Sequence, residues 1–287
     1  MNYERLAKFH KENYKKLLLI PLALFVLATL IIVITYIKTG DFINRDVTLK
    51  GGITATVYTK EKINLEDLEA YLDSQLKTKV STRRLVLEEQ NGVIIEAPIS
   101  LERSEELKGL IKNKIDFDTY TTEEISPSLG KSFYKELMYA IIFAFLLMSI
   151  TIFLVFRNIF ISLVVILSVF FDIYMTLATV NLLGIQISTA GITAFLLLIG
   201  YSVDTDVLLA TKMIKRKEGE LFYRIFDASK TGWTMSATTL AVSLTAFLLT
   251  NSTIIKQIFL ITSIGLIFDF ISTWIDTLGI LRWHLEK

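Results

Sequence analysis

The chain has 287 residues, of which 52% are apolar, and its mean hydropathy is +0.52. A water-soluble domain of this length is more polar, so the composition indicates a membrane protein. The formal net charge of +1 gives no electrostatic reason to expect a nucleic-acid partner. There is no cysteine, and the two histidines, His10 and His284, lie near the two ends. Thiol chemistry is therefore excluded, and neither a zinc site nor any other cofactor is expected.

Six apolar runs are long enough to cross a bilayer, which requires about 20 residues each. They cover residues 17–36, 137–156, 159–180, 187–209, 234–249 and 255–281. We predict one membrane helix at 17–37, three within 136–210 and two within 234–281. The first run follows a basic stretch but is long and precedes no cleavage site of small residues. It is therefore predicted to be an uncleaved anchor rather than a signal peptide.

The distribution of lysine and arginine predicts how the chain crosses the cell membrane. The N-terminal residues 1–16 and the loop 211–233 are rich in basic residues, whereas the short loops at 181–186 and 250–253 have none. Basic loops stay in the cytoplasm. We therefore predict a multi-pass protein of the cell membrane with 1–16, 211–233 and the C-terminal residues 282–287 inside. The polar segment 38–135 is then outside.

The segment 41–125 within this outer region is predicted to form a small α+β domain. Its elements follow the order β-α-β-β-α-β, which is typical of a ferredoxin-like fold. A β-rich stretch at 47–59 contains Gly51 and Gly52, where a bulge or a close backbone approach is expected. Its acidic and basic residues are scattered as on a solvated surface, and it has no histidine. We interpret it as a spacer or docking domain without a catalytic site.

Local signals place the later elements of this domain. Asn64 is a favourable N-cap for a helix over 65–76. Strands at 80–88 and 93–97 flank Asn91 and Gly92, a strong hairpin signal. Ser100 is expected to cap a helix reaching about residue 114, and a last strand follows at 117–122.

One motif superficially suggests nucleotide binding. Gly130-Lys131-Ser132 resembles the end of a phosphate-binding loop, but the required first glycine would be Ile125. The motif is therefore rejected, and the chain is not expected to be an ATPase or another enzyme.

Four acidic residues interrupt the predicted membrane helices. Asp204 and Asp206 lie in the fourth helix, Asp172 in the third and Asp269 in the sixth. A charged aspartate at the centre of a membrane helix costs roughly 2.5–3.5 kcal/mol on insertion scales. Such a residue is retained where it pairs, faces water, or binds and releases a proton. For Asp172 and Asp269, proton transfer and structural hydrogen bonding to Ser or Thr both remain open.

Asp204 and Asp206 are two residues apart, so they point to nearly opposite sides of a helix. Asp204 shares a face with Gly200, which leaves room beside it for another helix. Asp206 is closer to the inner surface and is expected to be solvated. All of these acids are candidates for a proton relay, with Asp204 the favoured one.

The fifth membrane helix carries small and polar residues along one stripe. Ser236, Thr239, Ser243, Ala246 and Thr250 follow one another at intervals of three and four residues. Such a stripe indicates either a close packing seam between helices or a hydrated polar lining beside the fourth helix.

Several of these segments resemble a known family. Gly-Tyr-Ser-Val-Asp-Thr-Asp-Val-Leu-Leu at 200–209 is similar to the fourth-helix motif of the SecD/SecF proteins, which belong to the RND superfamily. Phe171-Asp172, Gly51-Gly52-Ile53 and the segments 126–130 and 230–239 also fall where SecF proteins have similar residues. The resemblance covers nearly the whole chain and is to SecF proteins of the archaeal type.

The resemblance implies a function and partners. Proteins of this kind pair with SecD and assist the SecYE channel in exporting unfolded secretory proteins, using the proton gradient instead of ATP. Bacterial SecF has Asn-Asp where this chain has Asp204-Thr205, and an Arg that aligns with Thr231. Lys230, beside it, either substitutes in proton passage or anchors the helix at the cytoplasmic surface.

Three functions are therefore considered. The first is a proton-driven accessory of protein translocation. The second is an assembly or chaperone subunit that uses no gradient. The third is one half of an RND-type solute exporter, which is disfavoured by the small outer domain.

Overall fold

The structure is a computed structural model that describes residues 16–59, 63–86, 91–117, 119–215 and 221–285. The chain forms a bundle of long helices and a small sheet domain, whose strands all lie between the first and second long helices. The elements, in chain order, are α1 (Leu19–Thr39), α2 (Val47–Lys50), β1 (Gly52–Thr59), α3 (Leu65–Leu76), β2 (Ser81–Val86), β3 (Asn91–Ala97), α4 (Ser104–Lys112), β4 (Thr119–Ile125), α5 (Pro127–Phe156), α6 (Ile159–Leu182), α7 (Thr189–Ala210), α8 (Leu221–Leu249), α9 (Thr253–Ile271) and α10 (Leu278–Leu285).

Within the residues that the structure describes, six helical stretches are long and apolar enough to cross a membrane, which confirms the predicted number. They are α1, α5, α6, α7 with the π-helical turn Thr211–Lys215, α8, and α9 continued through the π-helical turn Ser272–Thr277 into α10. The stretches α6, α7 and α9–α10 are far more buried than α1, α5 and α8. The bundle therefore has an inner group of three helices and an outer group of three.

Two helices begin earlier than the apolar runs predict. Helix α5 begins at Pro127, where the Ser126 side chain accepts a hydrogen bond from the Leu129 amide, and α8 begins at Leu221. Much of the predicted loop 211–233 is consequently helical, and its residues 216–220 lie outside the described ranges. Helices can extend beyond the apolar run because polar residues continue the backbone hydrogen bonds outside the bilayer.

The sheet domain has the predicted β-α-β-β-α-β order. Its four antiparallel strands are arranged β2-β3-β1-β4, as in a ferredoxin-like fold. Helices α3 and α4 bury Leu72 and Ile111 in a core shared with Ile53 and Ile95 of the central strands. The Asn64 cap is confirmed, because its Oδ1 accepts from the Glu66 amide at 3.2 Å.

Three local predictions in this domain are wrong. Residues 47–50 form α2 instead of extending the first strand, because Asp46 caps this turn by accepting from the Thr48 amide at 2.9 Å. Asn91 and Gly92 are not a turn: they start β3 and pair with Val86 and Leu85. The connection is therefore 87–90, which lies outside the described residues. Ser100 makes no capping bond and precedes a 3₁₀ turn, so the helix starts only at Ser104.

The predicted close backbone approach at Gly51 and Gly52 is present. Gly51 has φ +85°, and a Cβ atom on it would lie 2.5 Å from the Cα of Pro127. Gly52 has φ +145°, and its Cβ would meet the Ala97 carbonyl oxygen at 2.5 Å. Only glycine fits both conformation and space. The start of β1 is thus packed directly against the first turn of α5.

A short segment joins the sheet domain to the inner helix α7. We call residues 44–50 the domain anchor. The Ile187 amide donates to the Asn44 carbonyl at 2.6 Å, and the Asp46 amide donates to the Ile187 carbonyl at 3.1 Å. The Thr189 amide, at the first residue of α7, donates to the Thr48 hydroxyl at 3.1 Å. The domain is therefore hydrogen-bonded to the beginning of α7.

Candidate functional site

Three carboxylates meet inside the bundle, one from each inner helix. Asp172 comes from α6, Asp206 from α7 and Asp269 from α9, and their exposed fractions are 0%, 0% and 1%. We call these three residues the carboxylate cluster. None of them forms an ion pair with a cationic side chain in the described part of the chain. The cluster is thus a buried acidic site without a counterion among the described residues.

Hydroxyl groups from neighbouring helices hold Asp172. The Ser202 Oγ donates to Asp172 Oδ2 at 2.5 Å, and the Ser272 Oγ donates to Asp172 Oδ1 at 2.5 Å. Ser202 lies on α7 and Ser272 in the π-helical turn after α9, so the three inner helices converge on this side chain.

The other two carboxylates share one hydroxyl partner. The Thr205 Oγ1 lies 2.9 and 3.2 Å from the two Asp269 oxygens. The Thr273 Oγ1 lies 3.1 Å from Asp206 Oδ1 and 3.5 Å from Asp269 Oδ1. Because a hydroxyl has one proton, Thr273 can donate to only one of the two at a time. Its proton therefore links the states of Asp206 and Asp269.

The π-helical turn Ser272–Thr277 shapes this site. A π-helical turn inserts an extra residue into a helix and re-aims the side chains around it. Here it brings both Ser272 and Thr273, which are adjacent in sequence, into hydrogen bonds with the cluster. Ser202, Thr205 and Ser272 are not among the predicted site residues. The sequence signal that could have identified them is a Ser or Thr within a few residues of an aspartate in an otherwise apolar helix.

The two aspartates of α7 differ in exposure, and Asp206 is not solvated as predicted. Asp206 is fully buried, whereas Asp204 is exposed. The prediction that Asp206 is solvated is wrong, because helical structure continues past it to Lys215 and leaves it facing Thr273. Gly200 is also exposed, and a Cβ atom there would meet nothing within 4 Å. The space beside Asp204 is therefore filled by no other described helix of this chain.

The predicted residues of α8 lie away from the cluster. Lys230 is exposed and makes no ion pair with the described residues. Ser236 and Ser243 are buried, and Ser243 Oγ lies 2.9 Å from Ser263 Oγ on α9. Thr239 is half-buried and bonds to the Met235 carbonyl of its own helix. At Ser243 the stripe therefore packs directly against α9.

No group of three or more His, Cys, Asp or Glu side chains is arranged to hold a metal ion in the residues that the structure describes. Three carboxylates without a cation in an apolar bundle cannot all be ionised at low cost. What the arrangement can do chemically is bind and release protons through a chain of hydroxyl groups.

A second acidic site lies where the domain anchor meets the sheet. Arg83 Nη2 is 2.6 Å from Glu96 Oε2 and 3.8 Å from Asp46 Oδ2. Burial raises the pKa of Glu96 to about 7, against the opposing effect of Arg83. Burial likewise raises the pKa of Asp46, although Thr48 and Arg83 favour its charged form.

These features define a class: a polytopic helical membrane protein with six candidate spans, a ferredoxin-like domain after the first, and buried carboxylates in the inner helices. Comparison with known proteins agrees. Residues 106–287 match the C-terminal region of the SecD/SecF protein-export membrane proteins. The chain belongs to this family, on its SecF branch.

The similarity extends over nearly the entire length. The protein-export membrane protein SecF of Thermococcus gammatolerans is 34% identical over 99% of this chain and 90% of its own. SecF of Methanothermobacter thermautotrophicus is 35% identical over 96% and 94%. The crystal structure of SecDF, a translocon-associated membrane protein from Thermus thermophilus, superposes with a TM-score of 0.72 at 18% identity. It covers 96% of this chain, which spans 38% of that longer one.

Proposed function

We propose that this protein is the SecF subunit of a SecDF-type complex, in which it assists the export of unfolded proteins through the SecYE channel and couples export to the proton gradient. The observation that carries the proposal is the carboxylate cluster, which is buried among hydroxyl groups and has no cationic partner among the described residues. Relatives named as protein-export membrane proteins, about a third identical over most of the chain, support the export role.

The hydrogen bonds between hydroxyl groups and the carboxylate cluster support a coupling of proton binding to helix movement. Adding a proton to Asp206 or Asp269 changes which oxygen Thr273 can donate to. Because these groups lie on different inner helices, a change of protonation alters the contacts between α7 and the turn after α9. The first residue of α7 is hydrogen-bonded to the domain anchor, so a shift of α7 would move the sheet domain. A moving domain could pull or hold an emerging chain.

The exposed face of α7 supports a partner of the membrane-helix type. Asp204, Gly200 and Tyr201 are exposed there, and an exposed aspartate is costly against lipid. We propose that SecD covers this face and that Asp204 joins the proton path at the interface. Lys230, exposed near the beginning of α8, is proposed to anchor that helix at the membrane surface. Both termini are proposed to be cytoplasmic, with the sheet domain outside.

A second candidate is an assembly or chaperone subunit that uses no gradient. The two 2.5 Å hydrogen bonds to Asp172 favour it, because a carboxylate held by two serines is also a good structural link between helices. In this case the sheet domain would hold unfolded chains passively.

Export of a secretory protein into membrane vesicles distinguishes the two. The vesicles contain SecYE and SecD, with or without this chain, and are assayed before and after a protonophore or a sodium ionophore collapses one gradient. Stimulation that requires the chain and disappears with the protonophore supports proton coupling. Stimulation that survives both ionophores contradicts coupling and favours the passive subunit, and sensitivity to the sodium ionophore alone assigns the coupling to Na⁺.

A further inference from the structure

A cleft of about 520 Å³ lies between the bundle and the sheet domain. Three separate parts of the chain form it: the last turns of α1, the domain anchor, and the connection between α6 and α7. Lys79, Glu96 and Pro98 of the sheet domain close its far side. The cleft is therefore at the level where α1 ends and the polar domain begins.

The charges around the cleft leave an excess of positive charge. Arg45 is paired with Asp41 at 2.6 Å. The acidic Asp46 and Glu96 face Arg83, as described above. Three lysines remain, which line the cleft and form no ion pair with any described residue: Lys38 of α1, Lys50 of α2 and Lys79 before β2.

The environment of Lys50 disfavours its positive charge. Although the residue as a whole is exposed, partial burial of its ammonium group lowers its pKa. The positive charges of Arg45 and Lys79 lower it further, while Asp41 and Asp46 act in the opposite direction. An anion bound between these cations would relieve their repulsion.

The wall on the membrane side is apolar. Ile31 and Ile34 of α1 line the cleft together with Leu182 at the end of α6. Ile34 is 50% exposed and Leu182 is 66% exposed, so both present apolar surface at the outside of the bundle. A ligand could thus keep a charged group among the lysines and an alkyl chain along α1.

We propose that this cleft binds the phosphate headgroup of an anionic membrane lipid, in the leaflet next to the sheet domain. The charge of the three lysines matches a phosphate, and the open apolar flank matches a lipid chain rather than a free anion. Basic pockets between membrane helices bind anionic headgroups on the cytoplasmic side of membranes, and the same electrostatic attraction acts on an anionic lipid of the other leaflet. The lipid would contact α1, the domain anchor and the sheet domain together, and so would help to hold the domain against the bundle.

Lipid retention by the full-length chain in detergent tests the proposal. The purified protein is titrated with dioctanoyl phosphatidylglycerol and bound lipid is counted by native mass spectrometry. Dioctanoyl phosphatidylcholine and inorganic phosphate are titrated in parallel. The double variant Lys50→Gln/Lys79→Gln removes two cleft cations. We expect it to weaken phosphatidylglycerol binding about tenfold, because each lysine near an anionic headgroup adds electrostatic attraction for the lipid.

The matched control is Lys131→Gln/Lys135→Gln. It removes the same charge from the start of α5, at the same end of the bundle but outside the cleft. We expect less than a twofold effect. An equal loss in both double variants would mean general attraction of anionic lipid and would overturn the proposal. Competition by inorganic phosphate at equal concentration would assign the site to a free anion, and equal binding of phosphatidylcholine would exclude recognition of charge. Both outcomes contradict a site for an anionic lipid.

Discussion

The guanidinium group of Arg83 on β2 donates to the carboxylate of Glu96 on β3 at 2.6 Å, where the sheet meets the domain anchor. Asp46, which caps α2 in the anchor, lies 3.8 Å from the same guanidinium nitrogen. Two buried acids therefore share one cation at the contact between the sheet domain and the segment that attaches it to α7.

The first prediction concerns the pH dependence of this contact. The pKa of Glu96 is raised from 4.5 to about 7 in the folded domain, mainly by burial. The folded state then binds the proton more tightly than the unfolded chain, so stability is lost as pH rises from about 4.5 to about 7. The raised pKa of Asp46 acts in the same direction. Glu96→Gln should therefore reduce this loss without removing it.

Thiol labelling can measure this effect, because the chain has no native cysteine. A cysteine at the buried position Ile95 of β3 reports opening of the sheet by its labelling rate. At each pH the rate is compared between the parent and Glu96→Gln, which cancels the thiol's own pH dependence. Glu124→Gln on the exposed strand β4 is the control and should match the parent. Identical pH profiles for all three chains would contradict the prediction.

The second prediction separates coupling from folding in the carboxylate cluster. Asp206→Asn should leave assembly with SecD intact but remove gradient-dependent stimulation of export, because the amide cannot take up a proton. Asp172→Asn should also lower the thermal stability by about 1 to 2 kcal/mol, because one of its two serine donors loses its acceptor. Full stimulation by Asp206→Asn would refute a role for this residue in coupling.

The third prediction concerns the backbone contact at Gly51. In Gly51→Ala the new Cβ would lie 2.5 Å from the Pro127 Cα, in a conformation that is essentially confined to glycine. Gly40→Ala has a positive φ as well, but nothing within 4 Å of its Cβ. The Gly40 variant should lose about 1 to 2 kcal/mol from strain alone. The Gly51 variant should lose clearly more, as measured by thermal unfolding in detergent, and equal losses would contradict the steric account.

The fourth prediction tests the seam between α8 and α9. Ser243 and Ser263 form a buried hydrogen bond of 2.9 Å, and Ser243 also reaches the Phe259 carbonyl at 3.0 Å. Interhelical bonds of this kind contribute about 0.6 kcal/mol on average in membrane proteins. A double-mutant cycle of Ser243→Ala and Ser263→Ala should give a coupling energy of that size. A coupling energy of zero would mean that the stripe acts by close packing alone.

The chain's broad architecture could be predicted because it depends on long, strong patterns. Six apolar runs are close to or above the length that a bilayer crossing requires, and the alternation of elements in the sheet domain is clear. The structure of short segments, in which a strand competes with a helical turn, was harder to predict. Residues 47–50 read as a strand, yet the single side chain of Asp46 caps a helical turn there.

The orientation of α7 explains the error at the site. In a helix that is apolar on all sides, no polar face indicates which side is inside, so Asp204 and Asp206 could not be told apart. They lie about 200° apart around the axis, so a wrong orientation exchanges their environments. The π-helical turn that aims Ser272 and Thr273 depends on packing between helices, and no sequence period indicates it.

Because the domain anchor links the sheet domain to α7, any coupling between movement of the domain and protonation of the bundle acts in both directions. If protonation of the carboxylate cluster displaces the sheet domain through α7, thermodynamic reciprocity requires the reverse as well. Tension placed on the domain by a polypeptide would then alter the affinity of Asp206 and Asp269 for protons. Proton uptake would thus depend on whether cargo is attached to the sheet domain.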